Sequence, residues 1–226
     1  MGRITREIRA DGTATAYTYE TTTSRVKTIT DPKAQVTTYT YNVDDPVAQI
    51  VYTNVEHSTP SVSFTYDANY HRLTSMTDGT GTTTYSYEAV GGLGGTQIAS
   101  VDGPLGNDTI TFYYDELGRV SGRNINGVAT SQEYDALGRV TSHTSVLGAF
   151  ATSYVGMTGE PASITYPNGQ TTTYAYELNA GDRHLKEIHN TLSGGATLSK
   201  FTYTTDVVRR MSTWRQQAGA NAANLY

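Results

Sequence analysis

An all-β fold built from antiparallel hairpins follows from three features of this sequence. Tyr, Thr and Val dominate its periodic segments, and branched and aromatic residues pack best on a pleated surface. Short alternating runs such as "VTTYTYN" (Val36 to Asn42) and "TTTYAYE" (Thr171 to Glu177) recur between turn signals. No segment combines helical periodicity with caps and sufficient length.

Composition narrows the class. Val, Ile, Leu and Phe together number 40 of 226 residues, a fraction that accompanies disorder in highly charged chains. Here the net charge is only -5 and there are 18 Tyr, so the chain folds, but without a thick aliphatic core. A pI near 5.5 leaves no basic surplus to meet phosphates, which argues against nucleic-acid binding. Cysteine is absent, excluding disulfides and Cys-based zinc sites. No stretch approaches the apolar length of a membrane-spanning helix, and the opening "MGRITREIRADG" has no signal-peptide run.

The elements repeat. Anchored on the second aromatic of its Tyr-x-Tyr pairs, the chain shows Tyr19, Tyr41, Tyr66, Tyr87, Tyr114, Tyr134, Tyr176 and Tyr203, with Tyr154 a weaker copy. The intervals are 22, 25, 21, 27, 20, 20, 22 and 27 residues. This predicts a single array of about nine units over 1–226. "RRMSTWRQQAGANAANLY" at the C-terminal end reads as an unfinished unit, so a fragment of a longer chain is expected.

Each unit has two turns. The first follows the aromatic pair, as in "YDELGR" (Tyr114, Asp115, Gly118, Arg119) and "YDALGR" (Tyr134, Asp135, Gly138, Arg139), with a variant at Tyr66, Asp67 and Arg72. Asp opens a type I turn by accepting local backbone hydrogen bonds, and Gly takes the positive-φ position that follows. The second turn is marked by Asp11-Gly12, Asp78-Gly79, Asp102-Gly103, Asn126-Gly127 and Asn168-Gly169, which tolerate the φ of tight hairpins. The strand after the first turn begins at Arg-Val or its equivalent, often with a large apolar residue three places later, as at Val26 and Ile29. In a regular strand that offset places the two on opposite faces, so inside and outside stay unassigned.

Chemical readings of these motifs are weak. Asp115 with Arg119 and Asp135 with Arg139 resemble a catalytic pair, but a pair recurring in degenerate form is better explained as a turn closure. The histidines are scattered and match no metal-ligand spacing, so no metal is expected. "GGLGG" (Gly91 to Gly95) lacks the Lys-Ser/Thr of a phosphate loop and reads as a long flexible hairpin connection. No nucleophile elbow is present, and no cofactor is expected. Tyrosine rows offer possible platforms for glycans, although a cross-strand ladder explains them more simply.

The segment "FYYDELGRVSGRNING", with Tyr-x-x-x-Gly-Arg-Val and a following Asn-Gly, resembles the YD repeat of Rhs proteins. The same repeat occurs in the B/C components of insecticidal Tc toxins, in wall-associated bacterial proteins and in teneurins. Residues 112 to 140 match closely and "FTYDANYHRLTSMTDG" (Phe64 to Gly79) well; the other units are degenerate. The resemblance implies a long β-strip spiralling into a hollow shell, non-enzymatic, secreted or at the cell surface. Its partners would be the remaining repeats and a C-terminal toxin cargo of the same polypeptide. A surface adhesion or carbohydrate-binding module is the alternative, and open strand edges imply self-association. The Asp-Pro pairs at Asp31 and Asp45 lack the rest of the Rhs cleavage motif and read as turns.

Overall fold

The computed structural model describes residues 2–44, 46–179, 182–208 and 210–225. Their regular elements are twenty strands, with no α-helix and none that could cross a membrane. The chain divides into two units. The first, Met1–Phe112 with Glu116–Gly118, holds β1 (Arg6–Ile8), β2 (Ala14–Tyr19), β3 (Val26–Thr30), β4 (Val36–Tyr41), β5 (Val47–Thr53), β6 (Val62–Tyr66), β7 (Leu73–Asp78), β8 (Gly81–Tyr87), β9 (Ile98–Asp102) and the start of β10 (Ile110–Tyr114). The second, Tyr113–Asp115 with Arg119–Tyr226, holds the end of β10, then β11 (Val120–Ile125), β12 (Val128–Tyr134), β13 (Val140–Ser145), β14 (Gly148–Tyr154) and β15 (Pro161–Thr165). It continues through β16 (Thr171–Tyr176), β17 (Leu185–Thr191), β18 (Thr197–Thr205), β19 (Met211–Ala218) and β20 (Asn224–Leu225).

Within each unit, successive strands pair antiparallel, and the packing among described residues is confined to such neighbours. Each unit is therefore a meander one layer thick. The described residues include no buried apolar side chain, as the low aliphatic content implies.

A β-bulge settles the faces. In the β12–β13 hairpin Tyr134 lies opposite Val140 and Glu133 opposite Ser142, which leaves Thr141 as an extra residue. In β6–β7 Tyr66 lies opposite Leu73 and Phe64 opposite Met76, with Thr74 extra. In β2–β3 Tyr19 faces Val26 and Tyr17 faces Ile29, with Lys27 extra. The expectation that the three-residue offset would split the apolar pair between faces is thus overturned. The inserted residue restores both to one face, opposite the two aromatics.

The other face is lined with hydroxyls. One position before the bulge, opposed side chains meet as Thr18–Thr28 (2.6 Å), Thr65–Ser75 (2.7 Å), Ser86–Ser100 (2.7 Å) and Ser153–Ser163 (2.7 Å). Aromatic–aliphatic pairs on one side and hydroxyl pairs on the other each add about 0.2–1 kcal/mol to a sheet.

The second turns use glycine in two ways. Asn126 (φ 51°) and Gly127 (φ 86°) form a two-residue loop between Ile125 and Val128, where both central residues need positive φ. At Asp78-Gly79 and Asp102-Gly103 the glycine φ is not positive. There glycine supplies space, because a Cβ would collide with Pro60 or with the Asp108 carboxylate. The Asp31 turn closes through Asp31 N–H donating to the Gln35 carbonyl at 3.0 Å, while Asp45 lies outside the described residues. The "GGLGG" connection is a tandem of turns in which the N–H groups of Gly92, Gly95 and Gln97 donate back to Ala89, Gly92 and Gly94.

Candidate functional site

The most constant constellation lies at the first turn and reaches the following hairpin. At Asp135 one carboxylate oxygen accepts the backbone N–H of Leu137 (2.9 Å) and of Arg139 (3.0 Å), and the other accepts Arg139 Nε (2.6 Å). Gly138 sits at φ 80° and its N–H donates to the Asp135 carbonyl at 3.0 Å. Asp115 and Arg119 repeat this geometry, with Arg119 N and Nε at 2.9 and 2.6 Å and Gly118 at φ 72°. The longer turn at Asp67 keeps the Arg72 contact (2.9 Å), and His71, at φ 50°, takes the glycine's place. Donated hydrogen bonds hold these carboxyls below the usual range: chiefly the Asn69 N–H at Asp67 and the Arg139 N–H at Asp135, followed by their arginines.

The arginine does not stop at its own turn. Arg119 lies over the Tyr134 ring (4.2 Å to the centroid), Arg139 over Tyr154 (4.4 Å), Arg72 over Tyr87 (4.3 Å), Arg25 over Tyr41 (4.8 Å) and Arg3 over Tyr19 (4.7 Å). Each stacked ring belongs to the next hairpin. The same guanidiniums donate to carbonyls of the next first turn: Arg3 to Thr23 (2.9 Å), Arg25 to Asn42 (3.1 Å), and Arg139 to Gly156 (2.9 Å) and Thr158.

The tyrosine hydroxyl returns the contact. Tyr134 donates to the Val120 carbonyl (2.8 Å), Tyr154 to Val140 (2.8 Å), Tyr176 to Pro161 (3.0 Å) and Tyr66 to Val47 (2.9 Å). Tyr19, Tyr41 and Tyr87 do likewise with Ile4, Val26 and Leu73, each at 2.7 Å. Tyr114 ends β10 at the equivalent position and is engaged in contacts of its own. Burial raises the phenol pKa of Tyr66 and Tyr176, so the donating, neutral form persists.

Units that lack the motif letters keep the contact by other means. Gln97 stands where arginine does elsewhere, and its Nε2 donates to the Gly118 carbonyl at 2.7 Å. At the Tyr154 unit the charges are exchanged: Glu160 occupies the arginine position and accepts Arg183 Nε, from the following turn, at 2.8 Å. Tyr203 does not stand at the repeat position. The bulge falls between Thr204 and Thr205, so Thr205, opposite Met211, occupies the tyrosine place, and Tyr203 pairs with Trp214. The Asp206–Arg210 turn that follows matches Asp135–Arg139 in spacing, but the Arg210 side chain is 79% exposed against 20% for Arg139.

This arrangement joins hairpins; it does not gather reactive groups. Among the described residues no three metal-ligating side chains converge. A groove of about 480 Å³ is lined in part by Tyr176 and Arg183, both inter-hairpin residues, together with Tyr174 and Glu177.

The RHS Repeat family model matches residues 114–149, the stretch in which the Asp–Arg–Tyr contact is most regular. Solved structures extend the likeness over almost the whole chain. TcdB2-TccC3 aligns with 97% of it at a TM-score of 0.68 and 16% identity. The Photorhabdus luminescens Tc holotoxin pore aligns with 96% at 0.68 and 14% identity. Residues 114–149 thus match the RHS repeat, and the rest of the chain shares the fold of the Tc structures. The Double-stranded DNA deaminase toxin A of Burkholderia cenocepacia (strain H111) shares 37% identity over 68 residues. The chain spans only 12% of the solved chains and 5% of that toxin. At such low identity the solved structures establish a shared fold.

Proposed function

We propose that this chain is a non-enzymatic wall segment of a secreted or cell-surface Rhs-type toxin protein. Its repeats would continue, as one array of about nine units here, into a spiralling hollow shell that encloses or presents a C-terminal toxin polypeptide of the same chain. The observation that carries this reading is the use made of the motif. Arg72 and Arg139, held by Asp67 and Asp135 of their own turns, and their partner tyrosines join one hairpin to the next, which is the work of a wall. The motif residues Tyr66, Tyr114, Asp115, Gly118, Arg119, Tyr134 and Gly138 are assigned the same structural role. A one-layer sheet without a buried apolar core is also what a wall around a wide polar lumen needs.

The test uses the full-length parent protein under limited proteolysis. Its C-terminal region should resist cleavage while the array is intact and become cleavable in a Gly118→Val/Gly138→Val variant that opens two turns. Equal cleavage rates in both proteins would overturn the proposal. The adhesion or glycan-binding alternative needs free aromatic platforms, and five repeat tyrosines already carry an arginine on one ring face.

A further inference from the structure

Five repeat tyrosines carry an arginine, but two rings on the aromatic face of the second unit carry none. Phe150 in β14 and Tyr166, just after β15, meet edge to face with centroids 6.0 Å apart and planes at 79°. The exposed His143 ring, opposite Phe150 in β13, extends the cluster at a centroid distance of 6.5 Å. With Leu147, Pro167 and Asn168 the two rings line a pocket of about 220 Å³ between the second turns of successive hairpins. Tyr166 also walls a second pocket, of about 160 Å³, together with Gln170, Thr172, Asn190 and Ser199. One ring therefore joins an apolar pocket to a polar one.

The polar side is ordered. The Tyr166 and Thr172 hydroxyls lie 3.2 Å apart, Thr172 donates to Asn190 Oδ1 at 2.6 Å, and Asn190 Nδ2 donates to Ser199 Oγ at 2.9 Å. Thr172, only 4% exposed, anchors this chain of side chains. An amide has two N–H groups and two acceptor sites, and Asn190 uses one of each. Gln170 bonds through its backbone alone, to Asn168 Oδ1 and Tyr166, so its half-buried side-chain amide is left for a ligand. None of the lining residues carries a formal charge. The first-turn grooves differ, with Glu177 and Arg183 in one and Glu20, Arg25 and Lys27 in another. An anion would find no cation in the paired pockets, and a purely apolar ligand would strand the two amides. A pyranose ring suits both sides. Its C–H face lies against an aromatic ring, and its rim hydroxyls donate and accept.

We propose that the paired pockets around Tyr166 bind a neutral saccharide, with Phe150 and Tyr166 as the stacking floor and Gln170 and Asn190 as the hydrogen-bonding wall. The site does not depend on the wall role of the array. It also differs from binding along the repeat tyrosines, whose rings arginine covers.

The test is saturation-transfer NMR on the 226-residue chain with neutral tetrasaccharides of glucose, mannose, galactose and N-acetylglucosamine. At least one should bind with a Kd of about 1 mM or tighter, and its sulfated form should bind no better. Phe150→Ala and Gln170→Ala should each weaken that binding by about fivefold or more, with unchanged circular dichroism spectra. Tyr85→Ala, on the aromatic face of the first unit, should leave it unaltered. Absence of binding by every tetrasaccharide, preference for the sulfated form, or affinity untouched by Gln170→Ala would each overturn the proposal. Equal weakening by Tyr85→Ala would do so too, by assigning the binding to the tyrosine rows.

Discussion

Tyr154 and Tyr134 make the same bond in neighbouring hairpins, yet replacing each by Phe should have unequal effects. Both hydroxyls donate at 2.8 Å to a carbonyl of the preceding hairpin, Val140 for Tyr154 and Val120 for Tyr134. The Val120 carbonyl also accepts Gln132 Nε2 at 2.7 Å, and this amide, which donates to the Tyr134 hydroxyl as well (2.6 Å), keeps its bond to the carbonyl when the phenol is lost. No second side-chain donor reaches the Val140 carbonyl among the described residues. A typical hydrogen bond contributes about 0.5–1.5 kcal/mol net, and the loss grows when the abandoned partner has nothing else. Arginine stacking persists on a phenyl ring. Tyr154→Phe should therefore destabilise the second unit by about 1–1.5 kcal/mol and Tyr134→Phe by about 0.5 kcal/mol. The single Trp, Trp214 in β19, lies in that unit and reports its unfolding. In urea a 1 kcal/mol loss moves the midpoint by about 0.5 M. Equal shifts, or a larger one for Tyr134→Phe, would refute the view that the carbonyl's remaining partner sets the loss.

Three further outcomes follow from the same contacts. Gly138→Val should destabilise by about 1–3 kcal/mol and Gly138→Asn by much less, because Asn tolerates positive φ; the nearest atom to a Cβ there is Arg119 Nη1 at 3.6 Å, so strain and not collision decides. Glu160→Arg and Arg183→Glu should each lower the melting temperature by about 2–4 °C, and the double exchange should recover most of the loss; no recovery would mean that the pair does not couple the hairpins. Asp67, Asp135, Asp206, Glu20 and Glu160 have depressed folded-state pKa values, so their stabilisation is present above about pH 4 and lost as pH falls through those values, whereas Tyr41, Tyr66, Tyr174 and Tyr176 are raised, so theirs is lost only as pH climbs past about 10. Thermal melts from pH 2 to 11 should show a plateau between those limits, and a maximum near pH 5 with steady decline above it would contradict the assignment.

The turns were legible in the sequence because they are local: Asp, Gly and Arg lie within five residues and act on one another's backbone. The faces were not. A bulge inserts one residue whose identity is free, Lys27 in one hairpin and Thr74 in another, so nothing in the letters marks it. The arginine–tyrosine stack was missed because its partners lie in different hairpins. Its signal was present as arginine followed by tyrosine fifteen or sixteen positions later, as with Arg119 and Tyr134 or Arg25 and Tyr41. Tyr203 was misplaced for a related reason. A Tyr-x-Tyr spacing fits either of two registers, and only the strand partner Met211, opposite Thr205, decides between them.

Arg139 and Arg210 separate the two contributions that the motif combines. Both backbone N–H groups donate to the aspartate four residues earlier, at 3.0 and 2.9 Å, and both Nε atoms reach its other oxygen. Their Asp–Arg closures are therefore equivalent. Arg139 then lies over Tyr154 and caps two carbonyls of the next turn, whereas Arg210 extends 79% exposed. If the turn alone held these amides, their hydrogens would exchange with solvent at similar rates. In a sheet one layer thick, without burial to add protection, opening is limited by contacts with the neighbouring hairpin. The Arg139 amide should accordingly exchange at least tenfold more slowly than that of Arg210. Replacing Tyr154 with Ala should accelerate Arg139 and leave Arg210 unchanged; similar rates in the wild-type chain would assign the stability to the turn and none to the stack.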